Sequence, residues 1–268
     1  MKIAGILGVT LALALAAAPS AFAGVATYNS TASLHVSDEN GPDGDTSTIT
    51  VPPGRTPVQS VDLTNFTVFW PASAQELSVR LEGVGGAPSV QLFNVGCFLY
   101  DDADVWGFSD AAASLTWNSK NDPKCDLGGG TFRPLGKLST LAGREASGTW
   151  TLRAIDNGAQ FTNQGDIKTW ALRITHAPPQ LTASPPVKAD LDGKLKVLAK
   201  ADADGTVSAG AAKLKLSPGQ QAAVPFKIGK KLRKRIEDKG KSRVKVKVAF
   251  TDETGGTANA VVPVKVTD

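Results

Sequence analysis

The residues of this 268-residue chain whose types could do chemistry are few: two histidines, two cysteines, loose carboxylate clusters and five tryptophans. Hydrolysis by a triad needs a base within reach of a hydroxyl nucleophile and an acid to orient that base. His35 sits in a strand-like Leu34-His35-Val36, and His176 closes a β-rich stretch just before Ala177-Pro178-Pro179. No G-x-S-x-G nucleophile elbow occurs, so the chain reads as non-catalytic. Cys97 and Cys125 are expected to form a single disulfide if the chain is exported. That bond would stabilise by roughly 3–4 kcal/mol on loop-entropy grounds. Two thiolates with no histidine nearby do not complete a zinc site.

Carboxylates offer the one cofactor the sequence suggests, calcium, which takes six to eight oxygens and tolerates irregular loops. Asp101, Asp102, Asp104 and Asp110 form one candidate set, and Asp156, Asn163 and Asp166 a second. Neither has EF-hand spacing or its closing glutamate, and the competing reading is a solvated acidic loop. Trp106 and Trp117, flanked by Gly, Ser, Asp and Asn, are candidates for stacking on sugar rings, against the plainer role of covering a core. Lys227, Lys230, Lys231, Arg233, Lys234 and Arg235 make a basic run suited to anionic polymers, or to a solvated helix face. No aromatic interleaves them and no nucleic-acid motif accompanies them, so no dedicated nucleic-acid reader is expected.

The elements that must position these groups fall into two halves. Residues 1–23 read as a signal peptide: Lys2, an apolar run over Ile6 to Ala18, and Ala21-Phe22-Ala23 as a cleavage site before Gly24. The run is too short for a membrane span, so a secreted or cell-envelope protein without a transmembrane segment is expected. Residues 24–176 hold 10 Lys+Arg against 16 Asp+Glu, a net of −6; residues 177–268 hold 18 against 9, a net of +9. All five tryptophans lie in the first half. A Pro-rich linker over 177–186 is expected to divide a domain at 24–176 from one at 187–268.

Both halves read as all-β. Thr46–Val51, Val58–Val68, Glu76–Gly83 and Ser89–Asn94 alternate apolar with polar residues between turn residues. Two amphipathic strands led by Trp150 and Trp170 follow. This spacing fits a jelly-roll β-sandwich. In the second half, Leu195–Lys200, Ala212–Leu216, Ala222–Ile228, Val244–Phe250 and Ala260–Val266 are strand candidates, with Thr254-Gly255-Gly256-Thr257 as a hairpin turn. Lys245 and Lys247 point away from the side that Val244, Val246 and Val248 bury. Ile228, Leu232 and Ile236 recur every four residues and predict one short helix. This half reads as an immunoglobulin-like sandwich.

Four stretches carry a family resemblance: PDGDTSTITV, VQSVDLTNFTVFWPASAQELSVRL, GTFRPLGKLSTLAGREASGTWTLRAID and NQGDIKTWALRIT. Over residues 43–175 the chain resembles the P domain (Homo B domain) of subtilisin-like proprotein convertases. The Gly-x-Trp-x-Leu-x-x-x-Asp and Gly-x-x-x-x-Trp-x-Leu orders carry most of the likeness. It departs from the family where Phe69 to Leu77 lacks the usual histidine and Glu76 replaces its acid, and in a long insert from Gly96 to Gly130. The second half resembles lysine-rich bacterial immunoglobulin-like modules. The resemblance implies a binding or stabilising module associated with serine endopeptidases, its partner a separately encoded subtilisin-like protease. The alternative is an adhesive module that binds carbohydrate or a cell-envelope polymer.

Overall fold

The computed structural model describes residues 21–69, 77–94, 105–113, 129–157, 165–186 and 195–267. Most of these residues lie in antiparallel strands, gathered around two separate apolar cores. In the first domain one sheet runs β4 (Asp45–Val51), β10 (Gly148–Asp156), β6 (Leu77–Glu82), β7 (Ser89–Asn94). The other runs β2 (Val25–Asn29), β11 (Gly165–His176), β5 (Val58–Phe69), β8 (Val105–Phe108), β9 (Gly130–Phe132), with β3 (Leu34–Val36) also paired to β11. The two tryptophan-led strands are therefore interior strands, one in each sheet. Trp150, Leu152 and Ala154 on β10, and Trp170, Leu172 and Ile174 on β11, are buried in the same core. Each indole N–H finds an acceptor there, Trp150 Nε1 on Ala146 O at 2.9 Å and Trp170 Nε1 on Ser47 Oγ at 2.9 Å. A buried indole needs such a partner to offset its desolvation.

The second domain stacks a three-stranded sheet, β12 (Leu181–Ser184), β13 (Lys196–Ala201), β16 (Gln221–Pro225), with a five-stranded one. The larger sheet runs β1 (Ala21–Phe22), β18 (Thr257–Thr267), β17 (Lys241–Asp252), β14 (Gly205–Ala209), β15 (Ala212–Leu216). Its core is small and aliphatic, with Phe226 and Phe250 the only rings. The predicted helix is present as α1 (Lys230–Lys239), with Ile236 buried, Leu232 half-buried and Gly240 closing it at φ 68°. Glycine meets that left-handed cap without the clash a Cβ would bring.

At three places the structure departs from the sequence expectations or adds to them. The segment 177–186 is not a spacer throughout, because Leu181–Ser184 forms β12 and packs Leu181 and Ala183 against the second core. Its flanking prolines confine it to a sheet edge, where the missing N–H groups cost no ladder bond. Strand β14 was not predicted: its five residues follow Asp202-Ala203-Asp204, which reads as turn, yet Val207 and Ala209 are buried. Ala21 and Phe22, inside the expected leader, pair with Ala258 and Thr257 at the edge of β18.

The two domains meet closely. Gly54 O accepts from Asp204 N at 2.9 Å, and Thr254 O accepts from Val25 N at 3.2 Å. Arg55 Nη1 stands 2.8 Å from Glu253 Oε2, an ion pair without hydrogen-bond alignment. A Cβ on Gly24 would collide with Thr254 Oγ1, and one on Gly54 with Asp204 Oδ2. Bare backbone at these two positions lets the domains touch.

Candidate functional site

His176 is fully buried where the domains meet. Its Nδ1 lies 3.1 Å from Thr56 O, and its Nε2 lies 3.3 Å from the Tyr28 hydroxyl. Those partners fit a neutral ring that donates from Nδ1 and accepts at Nε2. Burial holds its pKa below the ordinary histidine value, helped by the nearby Arg55 charge and opposed by the Thr56 bond and Asp252. The same burial pushes the Tyr28 hydroxyl up. His176 is thus a structural member of the junction, sealed from any substrate.

His35 lies in the open, its side chain 61% exposed, with Nδ1 2.9 Å from Asp166 Oδ1 across the β3–β11 pair. Asp166 also accepts from Lys168, and the Lys168 and His35 bonds hold its carboxyl below the usual range. An acid orienting an imidazole is half of a triad, but on an exposed sheet edge it works as a cross-strand clasp.

The calcium candidates divide. Asp101, Asp102, Asp104 and Asn163 lie outside the described residues, as do Trp117, Cys97 and Cys125. Both oxygens of Asp110 take backbone N–H groups, Leu138 N at 2.9 Å and Ser139 N at 2.8 Å. It thereby caps the single-turn helix Leu138–Leu141. Burial pushes its pKa up, but those N–H bonds outweigh burial and bring it below the ordinary value. Asp156 is buried at the end of β10, and Asp166 is engaged as above. Among the described residues no three His, Cys, Asp or Glu side chains converge as a metal site.

Trp106 is also corrected. It is 4% exposed and packs among Phe66, Phe93 and Phe132, with ring centroids 6.1 to 6.2 Å apart. It therefore has no free face to offer a sugar. Its Nε1 finds no acceptor among the described residues. The local sequence, rich in Gly, Ser and Asp, suggested a surface indole. The ring is inside because Trp106 sits opposite Phe66 on β5 and faces the core.

The basic residues of α1 are exposed as expected: Lys230, Lys231, Arg233, Lys234 and Arg235. Arg233 pairs with Glu237 one turn on. Sequence reasoning missed a larger basic surface on the five-stranded sheet. On β17, Val246, Val248 and Phe250 are buried, so Lys241, Arg243, Lys245 and Lys247 project to the other side. Direct pairing puts Lys265 opposite Arg243. It also aligns Lys215 with Thr206 and Lys213 with Ser208, which lie beside Thr251 and Ala249. Seven cations share one exposed face, and β14, β15, β17 and β18 place no acid on it; the only acid in these strands, Asp252, is buried. A hollow of about 620 Å³ opens beside Thr206, Ser208, Lys213 and Lys215, with Asp204, Asp252 and Glu253 also lining it. The clue in the sequence was the alternation Lys-x-Arg-x-Lys-x-Lys; the other three cations come from distant strands.

No family profile and no curated protein matches this chain. Among solved structures, it is similar at 8% identity and a TM-score of 0.27 to the adhesin domain of Epf from Streptococcus pyogenes, covering 94% of this chain and 99% of that one. Among the described residues no helix is long and apolar enough to cross a membrane.

Proposed function

We propose that this is an exported, non-catalytic binding protein, an adhesive β-sandwich that attaches to anionic cell-envelope material through its basic second domain. One observation carries the proposal: seven exposed cations on one sheet face with no acid among them. Such a surface attracts polyanions by summed charge. The leader-like residues 1–23 support export. The two imidazoles support a non-catalytic role, since His176 is sealed in the junction and His35 clasps Asp166 on an open edge.

The test is retention of the purified chain, begun at Gly24, on isolated envelope fragments. Retention at low salt with release between about 0.1 and 1 M is expected, because screening shortens the reach of these charges. Retention that ignores salt would exclude a charge-driven attachment.

A second reading rests on the P-domain resemblance. The two strands that carry it, β10 and β11, are interior strands of the first domain. Under this reading the first domain stabilises a separately encoded subtilisin-like protease. Copurification with such an enzyme tests it, and a chain recovered without one counts against it.

A further inference from the structure

The structure assigns the ligand of this second domain: an extended polyanion with phosphodiester charges, laid along the outer face of β17. This inference rests on the envelope-binding proposal and names both the surface and the chemistry.

Two ordinary explanations for exposed lysines fail on this face. Lysine often blunts a sheet edge against unwanted pairing, and that account covers Lys213 and Lys215 on the edge strand β15. It does not cover β17, which is paired on both sides, to β18 and β14. Charges are also placed on sheets to pair across strands. Here Arg243 stands directly opposite Lys265, an arrangement that destabilises the sheet. Ion pairs among the described residues include none of the seven cations. A central strand that keeps repelling charges in register is matched by a partner supplying the opposite sign.

Geometry and residue type narrow that partner. Alternate residues of a strand repeat every 6.4–6.8 Å or so, which sets four charges in a line of about 20 Å from Lys241 to Lys247. A chain of phosphodiesters bridged by a short polyol repeats its charge at a similar interval when extended. Six of the seven cations are lysines. The compact ammonium serves phosphate as a point charge, while the arginine fork matches carboxylate and phosphate alike, so it is the charge interval that favours the phosphodiester chain. No aromatic residue lies on the outer face of β14, β15, β17 or β18; the exposed Phe22 on this sheet belongs to β1, inside the expected leader. Bases and sugar rings are commonly held by stacking, so the surface reads backbone charge alone. The acids lining the hollow leave the opposite end, at Lys241, as the open direction for the polymer.

The experiment measures binding of the Gly24-begun chain to synthetic poly(glycerol phosphate), with anionic phosphatidylglycerol vesicles and hyaluronate as comparison ligands. Binding to the phosphate polymer should fall roughly fifty-fold between 50 and 200 mM salt, as four contacts at a single-strand-like slope imply. A variant carrying Lys241→Ser, Arg243→Ser, Lys245→Ser and Lys247→Ser should lose that binding, with an unchanged melting profile showing that it still folds. A helix variant, Lys231→Ser with Lys234→Ser, should bind within about twofold of the parent, since it spares the β17 contacts that set the salt-dependent term. Loss in the helix variant with retention in the strand variant would overturn the assignment. So would preference for vesicles or hyaluronate over the phosphate polymer. If the polymer fails to bind while envelope fragments still retain the chain, the ligand is wrong and the attachment stands. If neither binds, both fall.

Discussion

The two domains solve the same electrostatic problem in opposite ways. In the first, Arg153 stands directly opposite Arg80 across the β10–β6 pair, a like-charge juxtaposition. Glu82, on the same face, resolves it: its Oε1 lies 2.7 Å from Arg153 Nε and 3.1 Å from Arg80 Nε. The Arg153 bond is the largest cause holding the Glu82 carboxyl below its ordinary pKa. In the second domain Arg243 faces Lys265 in the same relation, and the described strands β14, β15, β17 and β18 place no acid on that face. The first arrangement stabilises a sheet with its own charges. The second leaves its charge for something else. Charge on a β-surface is thus informative only together with what stands across the strand.

The largest effect expected separates the cores rather than the charges. Trp150→Ala removes a fully buried indole from a core rich in large rings and should cost the first domain about 3–5 kcal/mol. All five tryptophans lie in that domain, so tryptophan fluorescence in urea reports it alone. The fluorescence midpoint should drop well ahead of the remaining far-UV circular dichroism signal. A single coincident transition would show instead that the domains unfold as one unit.

Acidification probes the junction that joins the two regions. His176 is neutral when folded and its pKa is depressed, chiefly by burial, while Tyr28, Arg55 and Asp252 surround it. Its stabilising contribution is therefore complete above the unfolded histidine value of about 6.5 and declines as pH falls through the depressed folded value. The lowered carboxyls of Glu82, Asp110 and Asp166 lose their contributions only at more acidic pH, below about 4. Thermal melts between about pH 7 and pH 5 should show a decline that the His176→Gln variant lacks. Equal declines in both would assign the loss to other groups.

Two charge substitutions sharpen the contrast and are smaller. Glu82→Gln should destabilise the first domain by about 1 kcal/mol or less, since these side chains are partly exposed and only a shared acid makes them a network. Lys265→Glu should do the reverse in the second domain, giving Arg243 an opposite partner and raising stability by roughly 0.2–1 kcal/mol. It should also weaken polyanion binding. A Lys265→Glu variant that is no more stable than the parent would mean that the repulsion across β17 and β18 is already screened.

The strands β10 and β11 were legible because alternation has a fixed cause: side chains of a strand point to opposite sides, and each strand has one side in a core. The helix α1 was legible for the same kind of reason, through Leu232 and Ile236 at a four-residue spacing. Strand β14 was not, being short and preceded by turn residues, and β12 hid between two proline pairs. The site was legible only in part. Lys245 and Lys247 could be seen to face outward, yet Lys213, Lys215 and Lys265 join them through register, which no local pattern encodes.

The sequence by itself determined the period of strands such as β10 and β11, the contrast of an acidic tryptophan-rich half with a basic one, and the outward pair Lys245 and Lys247, because these follow from backbone geometry and counting. Tertiary structure alone decided the rest. It put Trp106 in the core, sealed His176 between two domains, turned Asp110 into a helix cap, and set Arg243 against Lys265. Each of these depends on which distant strand becomes the neighbour. That choice minimises exposed apolar area over the whole chain rather than within any window of it.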